Sequence, residues 1–427
     1  MNKIERLVYD FVKSNPRLKM RVRDAYQAIC DVLPVRRNRS AYPVTVREGF
    51  FYGFHDKCPW SADDRYLLAH RELIPLRMPR ADDPLEVGYF EGDAADNFRA
   101  VGRTRAWNWH QGAQLQWLGR DGLIAFNDFD GNGHVARVVD RSGREERVLP
   151  RPVAALTPDG TWALSYSFAR LRGTPHGYAY ANGIDAEADR LVPEADGLWR
   201  METATGRAER LFTVAEIAGI QPDPSMDGAF HYFSHCQFSP SGRRFKFFHR
   251  WTVDANRQWT RMFSADLDGG RLHLFPTSGM VSHVGWRGDD HVVAYARTAE
   301  HGEAYYDFTD LAATFRAIGA ESFSSDGHPS FSRDGRWMLT DTYADRFRRR
   351  FLILYDTVEK RRYNLAMFYS PKSFAGVSIA DHLQCDFHPR WSRGNRQMCF
   401  DSAHTGTRAL CTLAVGELAA VPPKTIP

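Results

Sequence analysis

Four histidines stand at one repeated place in the chain: His235 in "HCQFSPSG", His283 in "HVGWRGDD", His328 in "HPSFSRDG" and His388 in "HPRWSRGN". Each lies three residues before an aromatic that leads into a polar turn. The equivalent places elsewhere hold Lys57, Gln114 and Val153. With 16 histidines in 427 residues, seven random positions would hold about 0.26, so four is a pattern. Imidazoles that converge in a cleft bind Mn²⁺, Zn²⁺ or Fe²⁺, and a neutral one serves as a general base near pH 7. Gln237, Gln384 and Asp386 lie close to this arc in sequence, and mixed nitrogen and oxygen ligation suits a hard ion such as Mn²⁺.

Such an arc needs elements that repeat. Aligned on the residue before the turn, the chain has seven copies, at Trp60, Trp117, Leu156, Phe238, Trp286, Phe331 and Trp391, spaced by 57, 39, 82, 48, 45 and 60. Apart from one insertion, this is the period of propeller blades, about 40–50 residues. Each copy reads as strand, tight turn and second strand, and many units carry a later hairpin, as in 197–213 and 261–275. The fold class predicted is all-β, a seven-bladed β-propeller over 39–427 with a short N-terminal helical extension over 1–38. The last unit lacks a fourth strand, so "YPVTVREGF" (42–50) is expected to complete it and remove an open sheet edge. The insertion in blade 3, residues 171–196, has the length of a lid or binding loop.

In a propeller the start of each first strand stands at one mouth of the channel, which makes the histidines a ring. The second strand returns to that mouth, where Arg71, Asp128, Ser167, His249, Arg297, Thr342 and Ser402 are expected as an outer polar ring, with Arg250, Tyr343 and Asp401 beside it. Trp107, Trp109 and Gln114 in "TRAWNWHQGAQLQWLG" offer either a stacking face for a sugar or packing between blades. In "FHDKCPW", Lys57 takes the ring position, and His55 and Asp56 either join it or fix the loop.

Composition bounds the rest. Lys+Arg number 56 against 52 Asp+Glu, a balance that calls for no nucleic-acid partner. The 6 cysteines show no metal-binding spacing and read as reduced thiols of a cytoplasmic protein, and no signal-peptide run opens the sequence. No stretch reaches the roughly 20 apolar residues of a membrane span. The opening does place Ile4, Leu7, Val8, Phe11 and Val12 on one helical face amid Lys and Arg. That pattern fits either a helix packed on the main domain or peripheral contact with an anionic membrane, with Pro16 dividing it.

The phrases "HCQFSP", "HPSFSRDG" and "HPRWS" resemble those of the oligogalacturonate lyase family and, more loosely, the ulvan lyases, over about residues 50–415. The turn phrase is shared with TolB-like propellers that catalyse nothing. The resemblance implies β-elimination on a uronate-containing glycan and, in the oligogalacturonate lyases, Mn²⁺ held by a Gln-x-x-His-x-His motif plus a histidine of the preceding blade. His388 and His328 match two of those ligands; the other two positions read Leu383 and Asp386, with Gln384 one residue from the glutamine's place. By blade position the family's catalytic histidine falls on His283, and its arginine on Arg250. The expected site is therefore His283, His235, Arg250 and Tyr343 for catalysis, Lys57, Arg71, Trp109, Gln114, His249 and Arg297 for substrate, and His328, His388, Gln384 and Asp386 for Mn²⁺ or Zn²⁺. The rival expectations are a propeller that binds a glycan or protein without chemistry, and a component of bacterial surface-polysaccharide synthesis at the inner membrane face.

Overall fold

In the computed structural model, residues 38–418 and 423–426 are described except 121, 176 and 375–382; of 1–37, only 18, 21, 22, 25, 28 and 29 are. The expected basic helix over 1–38 thus lies almost wholly outside the described residues. Seven antiparallel sheets follow one another along the chain and form the seven blades. Blade 1 comprises Phe50–Phe51, Tyr66–Glu72, Leu85–Glu91 and Arg99–Thr104. Blades 2 to 5 start at Gln116–Leu118, Ala155–Leu156, Phe230–Phe238 and Val281–Trp286, and each adds three strands outward in chain order. Ser330–Phe331 begins blade 6 and Arg390–Trp391 begins blade 7.

Closure occurs as expected: Val44–Glu48 pairs antiparallel with Ala409–Ala414, Val44 opposite Leu413 and Glu48 opposite Ala409, as the outer strand of blade 7. Joining the two ends of the chain in one sheet seals the ring. A second contact was not legible in the sequence, since Arg39–Ser40 adds a fifth strand to blade 6 beside Met367 and Ala366.

The seven turns after the inner strands share one physical solution. Their tightest position lies at positive φ and holds Asp64, Gly122, Gly160, Gly242, Gly288, Gly335 or Asn395. Glycine meets no steric penalty there, and Asp and Asn are among the side chains that tolerate it best. In blades 1, 3 and 6 the preceding Ser or Thr closes the turn by accepting a backbone N–H, from Tyr66 to Ser61 Oγ at 2.9 Å, Trp162 to Thr157 Oγ1 at 3.0 Å and Trp337 to Ser332 Oγ at 3.0 Å. Neighbouring turns are stapled together. Asp64 of blade 1 accepts from Arg393 N and Gly394 N of blade 7 at 2.6 Å each, Asp289 from Ser241 N at 2.8 Å, and Asn395 from Arg333 N at 2.7 Å.

Aromatic and aliphatic side chains of adjacent sheets fill the space between blades, for example Trp337, Leu354, Trp391 and Phe400 between blades 6 and 7. Among the described residues no helix is long and apolar enough to cross a membrane.

Candidate functional site

The histidines are aimed by irregularities in the inner strands. In blade 4 the pairing slips between Ser234–Phe248 and Gln237–Lys246, and in blade 5 between Val281–Ala296 and Val284–Ala294. Each slip is a one-residue bulge, which turns the side chains of His235 and His283 out of the regular alternation. His235, His388 and Gln114, three occupants of the ring position, also lie at positive φ, +55°, +44° and +55°. Non-glycine residues pay about 1–2 kcal/mol for that conformation.

Blade 1 contributes differently. Its inner strand pairs at Phe50–Phe51, leaves the sheet, and re-joins where Trp60 bridges Leu67. The excursion runs into the channel because Asp401 of blade 7 accepts the backbone N–H of Tyr52 at 3.0 Å and of Gly53 at 2.9 Å, itself fixed by Arg390 at 3.1 Å. A Cβ at Gly53, φ +114°, would lie 2.9 Å from the Gln111 carbonyl carbon, so only glycine fits this approach. The result sets Phe54 and His55 among the ring histidines, with Phe54 5.0 Å from His235 and 4.9 Å from His388, centroid to centroid.

His283 and His328 are 4.0 Å apart between ring centroids, His328 and His388 4.3 Å, His55 and His328 5.3 Å, and His110 and His388 5.6 Å. The insertion of blade 3 reaches this cluster: Tyr178 stands edge-on to His235 at 4.8 Å, held through its carbonyl by Asn108 at 2.9 Å. Its base is secured by buried Arg170, which donates to the carbonyls of His231, Glu187, Arg190 and Leu191. All six imidazoles are buried, His283 the least so at 8%, whereas Tyr343, 6.3 Å from His283 and 5.8 Å from His328, is 38% exposed and forms the open edge.

Two carboxylates face two of these rings. Asp326 Oδ2 lies 3.1 Å from His283 Nδ1, and Asp341 Oδ1 lies 2.7 Å from His328 Nδ1 while also accepting the His328 backbone N–H at 2.8 Å. Burial pushes His328 down, but Asp341, Asp386 and Asp326 outweigh it and its imidazole titrates above the ordinary value. Burial, followed by the charge of His328, holds His283 below it. His55 and His388 are lowered further by burial and by His328, and burial takes His110 down to about 3. Burial would raise Asp386, yet Arg350, 2.5 Å away, with His328 and His110, holds it well below the usual carboxylate range.

Of the expected metal ligands, His388 and Asp386 come together, and their third partner is His110; one donor atom from each lies within 4.8 Å of the others. His388 Nε2 is buried without a hydrogen-bond partner, as a ligand atom awaiting a cation would be. The set of two imidazoles and a carboxylate suits Mn²⁺ or Zn²⁺. His328 is turned by Asp341 and stands outside this group, while the Gln384 backbone carbonyl accepts from Arg408 at 3.3 Å.

The outer ring is displaced by one residue. Arg71 is ion-paired with Glu86, Arg297 with Glu303, and His249 lies within blade 4. There Arg261 donates to His249 Nδ1 at 3.2 Å, so His249 Nε2–H donates to His231 Nδ1 at 3.0 Å, and His231 Nε2–H to the Met226 carbonyl at 3.4 Å. The residues that support the channel are the preceding ones, His70, Asn127, Asp341 and Asp401, since side chains alternate along a strand and a shift of one changes face. Trp109 is not a stacking face: it is 2% exposed, packs on Trp107 at 4.9 Å and donates its indole N–H to the Arg77 backbone carbonyl. Gln114 and Lys57 do border one small cavity with Asp56 and Gln111, where Lys57 Nζ is 2.7 Å from Asp56 Oδ2 and Gln114 donates to Gln111 at 3.0 Å. Arg250 is buried against Phe248 near Tyr178, and its Nε and Nη1 have no hydrogen-bond partner.

His55 and His110 escaped a fixed three-residue offset because the segments entering blades 1 and 2 are longer. The signal available was their closeness to the ring position, two residues before Lys57 and four before Gln114.

Fold and site together define a seven-bladed propeller with a buried histidine and carboxylate cluster at one mouth. Among solved structures it is similar to the oligogalacturonate lyase of Vibrio parahaemolyticus, with a TM-score of 0.57 and 13% identity over 91% of this chain and 96% of that one. TolB from Acinetobacter baumannii overlaps at a TM-score of 0.37 and 12% identity, covering 83% of this chain and 81% of that one. The tricorn protease overlaps at 0.48 and 9%, covering 89% of this chain and 34% of that one. No protein-family model and no curated protein matches the sequence. At these identities the likeness speaks for the fold.

Proposed function

We propose that the protein is a lyase that cleaves a uronate-containing oligo- or polysaccharide by β-elimination at this mouth. The observation that carries the reading is the neutral imidazole of His283, set among buried rings with Asp326 on its Nδ1. Arg250, buried near Tyr178 in the adjacent blade with Nε and Nη1 lacking partners, is the guanidinium expected to meet the carboxylate. A buried cation with vacant donors is a receptor for a carboxylate. Charge neutralised at the C6 carboxylate makes the C5 proton more acidic. His283 Nε2 takes that proton, the C5 electron pair forms the C4–C5 double bond, and the bond to the C4 oxygen breaks. The leaving oxygen takes a proton from Tyr343, which stands at the open edge, or from His328. His235, edge-on to Tyr178, packs on Phe54, which also meets His283.

His110, Asp386 and His388 are the residues that would hold Mn²⁺ or Zn²⁺. Bound there, the ion would supply further charge stabilisation for the uronate. Product masses from a panel of uronate oligosaccharides test the reading. Elimination gives fragments whose masses sum to the parent, whereas hydrolysis adds one water.

The second reading, a propeller that binds an acidic glycan or protein partner without chemistry, is favoured by the burial of all six imidazoles, five of them around Phe54. Binding without any product supports it. Peripheral contact of residues 1–38 with the inner membrane face of a bacterium is a separate proposal. Unchanged membrane partition after deletion of 1–38 would count against it.

A further inference from the structure

We infer that Asp326 is the positioning residue of the site, holding His283 with its proton on Nδ1 and its Nε2 lone pair free. This rests on the reading of His283 as the base. The carboxylate comes from the loop entering blade 6 and the imidazole from the bulge of blade 5, so the contact spans two blades. An ionised carboxylate only accepts hydrogen bonds, so the 3.1 Å contact from Asp326 Oδ2 requires a proton on His283 Nδ1. Ser282 Oγ, 3.1 Å from the same nitrogen, is a hydroxyl and suits either tautomer, so it cannot make the choice.

Asp326 is itself fixed, since its Oδ1 accepts the Gly327 backbone N–H at 2.8 Å. The other groups facing His283 are His55 from blade 1 and His328, Asp341 and Tyr343 from blade 6. Among the described contacts of His283, Asp326 Oδ2 alone is a hydrogen-bond partner that can only accept. A base whose second nitrogen is tied to a carboxylate is oriented for proton abstraction. Without that tie the imidazole would divide between tautomers, and part of the protein would present an N–H to the substrate.

The test uses full-length protein labelled with ¹⁵N-histidine, the His283 signals being identified by their loss in His283→Gln. In the wild type the spectrum should show a protonated Nδ1 and a bare Nε2. Asp326→Ala should shift population to the other tautomer and lower kcat roughly 10²-fold, the scale of general-base catalysis, with KM changed less than about twofold. Asp326→Asn, whose oxygen stays on the Gly327 N–H so that its NH2 faces His283 Nδ1, should drive the imidazole to the other tautomer and lower kcat at least as far. A bare Nδ1 in the wild type, or Asp326→Ala with an unchanged tautomer, overturns the inference. If the wild type turns over no uronate glycan, the lyase reading fails, while the tautomer measurement still decides the role of Asp326.

Discussion

The two ends of the propeller use the same backbone conformation for different purposes. At the turn end the positive-φ positions hold glycine, Asp64 and Asn395, which adopt it readily, and the polar groups around them are paired by staples between blades. At the mouth end the same region of φ is occupied by Gln114, His235 and His388. Around them Asp341 Oδ2, His388 Nε2, Arg250 Nε and Arg250 Nη1 are buried without hydrogen-bond partners. One end is relaxed in its backbone, and the other holds strain and unmet polar groups in a fixed frame. Such strain marks a site whose side-chain placement matters more than its stability.

The largest expected contrast lies in charge. Asp386→Ala strips the partner from buried Arg350 and should cost about 3–5 kcal/mol in urea unfolding, the penalty for leaving one ion of a buried pair alone. A loss below about 1 kcal/mol would mean that the mouth is wetter than the geometry shows.

Acid should act at this end next. Burial, with Arg261 and Arg170, takes His231 down to about 4, while the unfolded chain titrates near 6.5. Between those values the unfolded state binds the proton and the folded state does not, so stability is full above pH 6.5 and falls as the pH drops toward 4, by on the order of 3 kcal/mol. Urea midpoints at pH 7 and pH 5 should differ less in His231→Gln than in the wild type.

At the turn end the effects are smaller. Gly335→Ala, at φ +69°, should destabilise by about 1–2 kcal/mol in the same assay. Asn395→Gly should stay within about 0.5 kcal/mol, the relief of backbone strain offsetting the lost contact with Arg333 N. Equal losses from Gly335→Ala and Asn395→Gly would break the idea that the turn residues were fitted to their conformation.

The blades were legible because each turn needs the same chemistry, so "TPDG", "SPSG" and "SRDG" recur in the sequence. Closure was legible because 42–50 alternates like a strand and lies beside a unit lacking one. The histidine arc was legible in part: His283, His328 and His388 share the cluster, and His235 adjoins it through Phe54. His55 was left between joining the ring and fixing its loop, and His110 was not read, because Asp401 draws one excursion inward and Asn108 caps the turn carrying the other, accepting from His110 N at 3.0 Å. Such contacts join residues hundreds of positions apart or depend on loop length, and neither leaves a period in the sequence. The outer ring failed by parity, as a count from the turn cannot see which face a bulged strand presents.

The catalytic role proposed for the mouth leaves the turn end as its frame. The most direct measurement is the rate of appearance of the unsaturated uronate chromophore on uronate oligosaccharides, with wild type, His283→Ala and Asn395→Gly side by side. Product is expected from the wild type and Asn395→Gly at comparable rates, with a fall of roughly 10²–10⁴-fold in His283→Ala with its fold intact. Product formed by His283→Ala at the wild-type rate, or glycan bound by the wild type with no chromophore, would contradict that role.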